Sequence, residues 1–72
     1  MTPSEFLERI SEILNVDRAS LSMESVLKDY ETFDSVAVLS ILVLLDELDH
    51  PVSGLTIRGC TTVADLWSLA HA

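Results

Sequence analysis

Apolar residues at Phe6, Leu7, Ile10, Ile13 and Leu14 recur at the three- and four-residue spacing that gathers side chains on one side of an α-helix, leaving Glu8, Arg9, Ser11 and Glu12 to face water. Thr2-Pro3-Ser4-Glu5 supplies the start: a hydroxyl cap, proline at the first helical position, and a glutamate placed to bond back to the cap. A first helix is predicted from Pro3 to near Asn15. Residues 16–33 carry no clean period; Ser, Asp and Glu alternate irregularly with Leu21, Met23, Val26, Leu27, Tyr30 and Phe33. This stretch reads as a long ordered loop pinned by those apolar residues, with a short helical turn around residues 25–28. Loops of this length are uncommon in compact domains and often have a function.

Asp34 can cap a second helix, expected over residues 35–49, in which nine of the ten residues 36–45 are apolar. At about 100° per residue, Val38, Ile41, Leu42, Leu45 and Leu48 are predicted to point inward, and Val36, Ser40, Val43 and Glu47 outward. Pro51 and Gly54 are expected to end that helix, and Leu55, Ile57 and Arg58 to form a short helical turn closed by Gly59. Thr62-Val63-Ala64-Asp65 opens a last helix with another capping pattern, followed by Val63, Leu66, Trp67 and Ala70 at helical spacing. Strand alternation is nowhere sustained. The predicted fold is an all-α bundle of three main helices and one short one, in a single domain over residues 1–72, with Leu7, Ile10, Leu42, Leu45, Val63 and Leu66 in its core.

Composition narrows the function classes. Seventy-two residues suffice for one domain and scarcely enclose a catalytic cleft, so a binding or carrier module is expected rather than an enzyme. The longest apolar run, residues 36–45, is about half of the roughly 20 residues that cross a bilayer, and Glu5 and Glu8 sit where a signal peptide would need an apolar stretch. A cytoplasmic, monomeric protein is expected, with no membrane partner. The net charge of -8 would repel a phosphate backbone, so nucleic acid is not an expected partner. Cys60 is alone and has no disulfide partner within the chain; with two widely spaced histidines it forms no zinc pattern. It reads as a small packing residue, Trp67 and Tyr30 as core or rim aromatics, and His50 as a helix-end residue.

The most informative position is Ser35, at the first turn of an apolar helix, directly after Asp34 and after a long loop. Helix N-termini present unpaired N–H groups and a partial positive charge, so a phosphodiester at this serine would be stabilised even in an acidic chain. Taken alone, Asp34-Ser35 is an ordinary helix start. The ordered set is more specific: Leu27-Lys28-Asp29, then Phe33-Asp34-Ser35-Val36, the apolar helix to Asp46-Glu47-Leu48, and Cys60-Thr61-Thr62-Val63-Ala64-Asp65-Leu66. Together these resemble the acyl carrier protein family over most of the chain, and look most like its stand-alone bacterial members. The resemblance implies a small four-helix bundle whose Ser35 receives 4'-phosphopantetheine from coenzyme A, by the action of a phosphopantetheinyl transferase. Asp34 would contact that transferase or its magnesium. The loaded arm would carry an acyl group as a thioester between acyl-activating and acyl-transferring enzymes.

The chain departs from that pattern in defined places. Carriers serving fatty acid synthases typically have acidic residues on the exposed face of the second helix just after the serine and one turn later, where this chain has Ala37 and Ser40. Val36 stands for the usual leucine, and Asp49-His50-Pro51 replaces a stretch that commonly holds an apolar anchor. Docking is therefore expected to rest on an outward apolar face, Val36 and Val43 with Ser40 between them and Leu39 at the edge, and on charge only at the distal end, through Asp46 and Glu47. An aminoacyl or peptidyl carrier shares the serine and the bundle and is the second reading. An unmodified helical interaction module, whose apolar second helix simply binds a partner, is the third.

Overall fold

The first helix, α1 (Pro3–Leu14), starts as its sequence predicts. Thr2 is extended and its hydroxyl accepts from the Glu5 N–H at 3.2 Å, while the Glu5 carboxylate takes the Thr2 N–H at 3.0 Å. Reciprocal bonds of this kind satisfy two backbone donors that a helix start otherwise leaves open. Asn15 ends the helix in the left-handed region, φ 55°, a conformation that asparagine tolerates better than most residues. Its N–H donates to Glu12 O and the next N–H, of Val16, to Ser11 O. Phe6, Leu7, Ile10 and Leu14 are buried. Ser11, expected in water, is buried as well, and its hydroxyl donates to the Glu8 carbonyl at 2.7 Å, so the polar atom goes inside already satisfied.

This computed structural model describes residues 1–71. Four α-helices and no strand occur among them: α1, α2 (Ser35–Glu47), α3 (Gly54–Arg58) and α4 (Val63–Ala70). The chain is an all-α bundle, in which α1 packs on α2 and α4, and α2 also packs on α3. Phe6, Ile10, Leu14, Leu27, Ile41, Leu44, Leu45, Ile57, Val63 and Leu66 fill one interior and are essentially inaccessible. Trp67, half-buried, closes one side, its ring edge-on to Phe6 with centroids 5.2 Å apart. The His71 ring lies close to it as well, with centroids 3.7 Å apart.

Helix α2 is rotated from its predicted setting. Ala37, Val38, Ile41, Leu44 and Leu45 face inward, whereas Leu42, predicted in the core, is half-buried, as is Leu48. Ala37, assigned to the exposed face, is 2% exposed. Ser40, assigned outward, is half-buried. The cause lies in the composition: with nine of ten positions apolar, hydrophobic periodicity barely constrains rotation about the axis, and the surrounding helices set it. The helix stops at Glu47, before Pro51 is reached. Asp49 takes a left-handed conformation, φ 64°, and the His50 N–H reaches Leu45 O at 2.9 Å. Gly54, expected to terminate this helix, instead begins α3, which Ser53 caps by accepting from the Thr56 N–H. Gly59 ends α3 with φ −78°, so no left-handed turn is involved there.

The loop of residues 16–33 is ordered by two 3₁₀ turns, Arg18–Ser20 and Leu27–Asp29, and by burial of Leu21 and Leu27. Its backbone also docks onto the start of α4. Leu27 N–H donates to Thr61 O at 2.9 Å, Val63 N–H to Ser25 O at 3.1 Å and Ala64 N–H to Met23 O at 2.8 Å. The loop thereby supplies carbonyls to a helix start whose N–H groups have no intrahelical acceptor.

Candidate functional site

The site grows from the junction of loop and α2. Asp34 is extended, and its Oδ1 accepts from the Ala37 N–H at 3.0 Å, so the predicted cap is present. One carboxylate oxygen is thereby committed to the helix. Ser35 follows as the first helical residue and is exposed. Its own N–H and that of Val36 find no acceptor among the described residues. Two donors at the positive end of a thirteen-residue helix are thus open to solvent beside the serine hydroxyl.

A neighbour that sequence reasoning did not bring to this place is Arg58, the last residue of α3. Its Nη2 donates to Ser35 Oγ at 3.0 Å across 23 residues. No sequence signal pairs them, because the contact depends on how the short α3 folds back over α2. Ile57, fully buried beside Arg58, holds α3 in place, and the start of α3 lies against Val38 and Leu42. Neither His50 nor His71 forms a hydrogen bond to Ser35 among the described residues.

From Ser35 an apolar strip runs along the outside of α2. Val36 is 70% exposed and Val43 58%, as their outward assignment requires, and Leu39, placed at the edge of that face, is 61% exposed. Leu55 on α3 adds a fourth large apolar side chain, 82% exposed, which the sequence places in a short turn without a role. Large side chains this exposed on neighbouring elements form the kind of patch that partner proteins cover. An open groove of about 300 Å³ between Leu42, Val43, Asp46, Pro51 and Val52 continues the strip toward the end of α2. Glu47 is exposed, but its Oε2 lies 3.6 Å from Arg9 Nη2, so its charge is shared with α1. Of the residues assigned to docking, the structure therefore brings Val36, Leu39 and Val43 onto one face with Ser35; Ser40 is withdrawn and Glu47 is paired.

Cys60 is buried, its thiol pointing at the Thr56 carbonyl at 3.4 Å. Burial, and secondarily the charge of Asp65, pushes the thiol pKa up, which favours its protonated form. No cluster of three or more His, Cys, Asp or Glu side chains that could hold a metal occurs among the described residues, and no helix there is long and apolar enough to cross a membrane. No protein-family model matches the chain, and no curated protein or solved structure matches it either.

Proposed function

We propose that this chain is a discrete acyl carrier, with Ser35 as the attachment point of a 4'-phosphopantetheine arm. The observation that carries the reading is the placement of Ser35: an exposed hydroxyl at the first turn of α2, beside two open N–H groups and one arginine, at the head of an exposed apolar strip. The residues present suit a phosphodiester. Arg58 donates to the hydroxyl, the open N–H groups of Ser35 and Val36 belong to the same helix turn, and the adjacent Asp34 is turned into its cap. When bound, the group supplies a flexible arm ending in a thiol that can carry an acyl group as a thioester. On attachment, the Ser35 Oγ–P bond forms as the pyrophosphate bond of coenzyme A breaks, adenosine 3',5'-bisphosphate leaves, and the serine proton passes to a base of the phosphopantetheinyl transferase. The free oxygen of Asp34 is available to that enzyme or its magnesium.

In this reading the chain performs no chemistry of its own. It fixes the base of the arm on a helix start, and Val36, Leu39, Val43 and Leu55 offer apolar contact to acyl-activating and acyl-transferring enzymes, so that tethering raises the effective concentration of the cargo at their sites. Asp46 and Glu47 steer weakly from the far end.

Intact mass after incubation with coenzyme A and a promiscuous transferase tests the proposal. The expected result is a single phosphopantetheine addition, absent from Ser35→Ala. Addition persisting in that variant, or none on the wild-type chain with competent transferases, removes the carrier reading and leaves an unmodified interaction module. Loading with acyl against aminoacyl donors then separates an acyl carrier from an aminoacyl or peptidyl carrier. For docking, Val43→Asp should leave the fold intact and sharply reduce acyl transfer by a cognate enzyme; undiminished transfer would move docking off this strip.

A further inference from the structure

The bond from Arg58 to Ser35 stands apart from the other side-chain hydrogen bonds of the molecule. Each of the others among the described residues spans four residues or fewer and serves a cap, a turn or the residue's own helix. This one joins two elements across 23 residues. Arg58 is also one of only four basic residues in a chain with twelve acidic ones, yet it makes no ion pair among the described residues. Arg9 takes Glu47, and Arg18 is turned onto the Leu21 carbonyl of its own loop. In a chain with twelve acidic residues its guanidinium lies on a neutral hydroxyl, which engages one of its five N–H donors.

We infer that Arg58 is the counter-ion of a phosphate carried on Ser35 Oγ, a positioning residue that fixes the first bonds of whatever the phosphate bears. The inference rests on the reading of Ser35 as the attachment site. The chemistry is set by what each group can do. A serine hydroxyl offers the guanidinium one neutral acceptor, whereas an esterified phosphate on the same oxygen offers two or three charged ones within about the same reach, and arginine's planar fork matches them two at a time. The backbone of Arg58 does not have to move, because Ile57 and the Ser53 cap hold α3 in place on either side of the exchange. The arm's origin would thereby be tied to α3 as well as to α2, fixing its direction beside Leu55.

The Gly59-Cys60 junction allows the test to be made without any transferase, by chemical ligation of residues 1–59, carrying phosphoserine at 35, to residues 60–72. Folded chains with arginine at 58 are compared with Arg58→Gln and Arg58→Lys by phosphorus NMR titration of the phosphomonoester. A nearby cation favours the dianion, so its apparent pKa should be lower with arginine than with glutamine by roughly 0.2 to 0.7 pH unit, the range an exposed ion pair delivers. That corresponds to a roughly two- to fivefold shift in the proton equilibrium. Lysine should fall between them, and the difference should vanish in denaturant. Identical titrations of the folded arginine and glutamine chains would overturn the inference, even where the mass assay shows Ser35 to be modified. Failure of the mass assay with a positive titration would overturn the carrier reading alone.

Discussion

Helices α2 and α4 start alike. In each an extended residue, Asp34 or Thr62, turns a side-chain oxygen onto the N–H three residues ahead, Ala37 or Asp65. The surroundings of the two starts differ. At α4 the loop of residues 16–33 brings the carbonyls of Ser25 and Met23 to the next two N–H groups, Val63 and Ala64, and the Asp65 carboxylate takes the N–H groups of Thr61 and Thr62. That start is fully used within the fold. At α2 the loop brings no carbonyl to the helix start among the described residues, and the N–H groups of Ser35 and Val36 remain open beside an exposed hydroxyl. A cap therefore marks where a helix begins, while the packing of other segments decides whether that beginning is available to a ligand. The long loop before α2, whose length suggested a function, commits its backbone to α4 and leaves α2 free.

The largest effect should come from unfastening the loop. Leu27 is fully buried, and its N–H donates to Thr61 O. Leu27→Ala should cost about 2–5 kcal/mol by denaturant unfolding, a large share of what a domain of this size can have. A loss well under that range would mean that the loop is not what holds the α4 start, and the contrast between the two helix starts would fail.

Next in size is the cap itself. Thr62→Ala should cost about 1 kcal/mol, within the usual 0.5–2 for a lost hydroxyl cap. Hydrogen exchange sharpens the comparison: the amides of Val63 and Ala64 should be protected in the wild-type chain and less so in this variant, while those of Ser35 and Val36 should exchange rapidly in both. Protection at Ser35 would show an acceptor at α2 that the structure lacks.

These two starts also show how much of the molecule is legible in the chain. Thr2, Asp34 and Thr62 can be read as caps because capping is local, set by a residue and its neighbours within three positions. The inward stripe of α1 is legible because its apolar and polar residues separate, except at Ser11, whose hydroxyl satisfies itself on the Glu8 carbonyl and goes inside. The rotation of α2 is not, since an almost uniformly apolar helix has no polar face to mark the outside; Leu42 and Leu44 differ in burial, yet nothing in their chemistry distinguishes them. Ser35 is visible as a helix-start serine, but Arg58 beside it and the loop carbonyls on α4 are not. Both are contacts between distant segments, fixed by how the helices pack.

A smaller effect is expected in acid. The Asp65 carboxyl is held below its ordinary value of 3.8, first by the Thr62 N–H and then by the Thr61 N–H. Its pKa is thus lower folded than unfolded, so its contribution to stability is complete above the unfolded value and is lost as pH falls through the folded one. Glu5 behaves likewise at the start of α1, through its bond from Thr2. The thermal midpoint should therefore decline below about pH 4, and Asp65→Asn should flatten part of that decline. A variant with the wild-type slope would show that Asp65 gains nothing on folding, and that the loop carbonyls alone distinguish α4 from α2.

The smallest effect should be at the site itself. Ser35→Ala removes an exposed hydroxyl whose one side-chain partner is an arginine on the surface, and it places a strong helix former at the first position of α2. The Asp34 cap, which holds the helix start through Ala37, is untouched. The net change in unfolding free energy should stay within about 0.5 kcal/mol in either direction, the usual range for a surface substitution away from a core or a cap. A residue kept for stability would not behave so. Set beside the cost of Thr62→Ala at the matching helix start, a near-zero change would show that the chain can dispense with Ser35 for folding, which is the condition a modification site must meet. A loss of about 1 kcal/mol would instead make the Ser35–Arg58 contact part of the fold, tying α3 to α2, and would remove the asymmetry between the two helix starts.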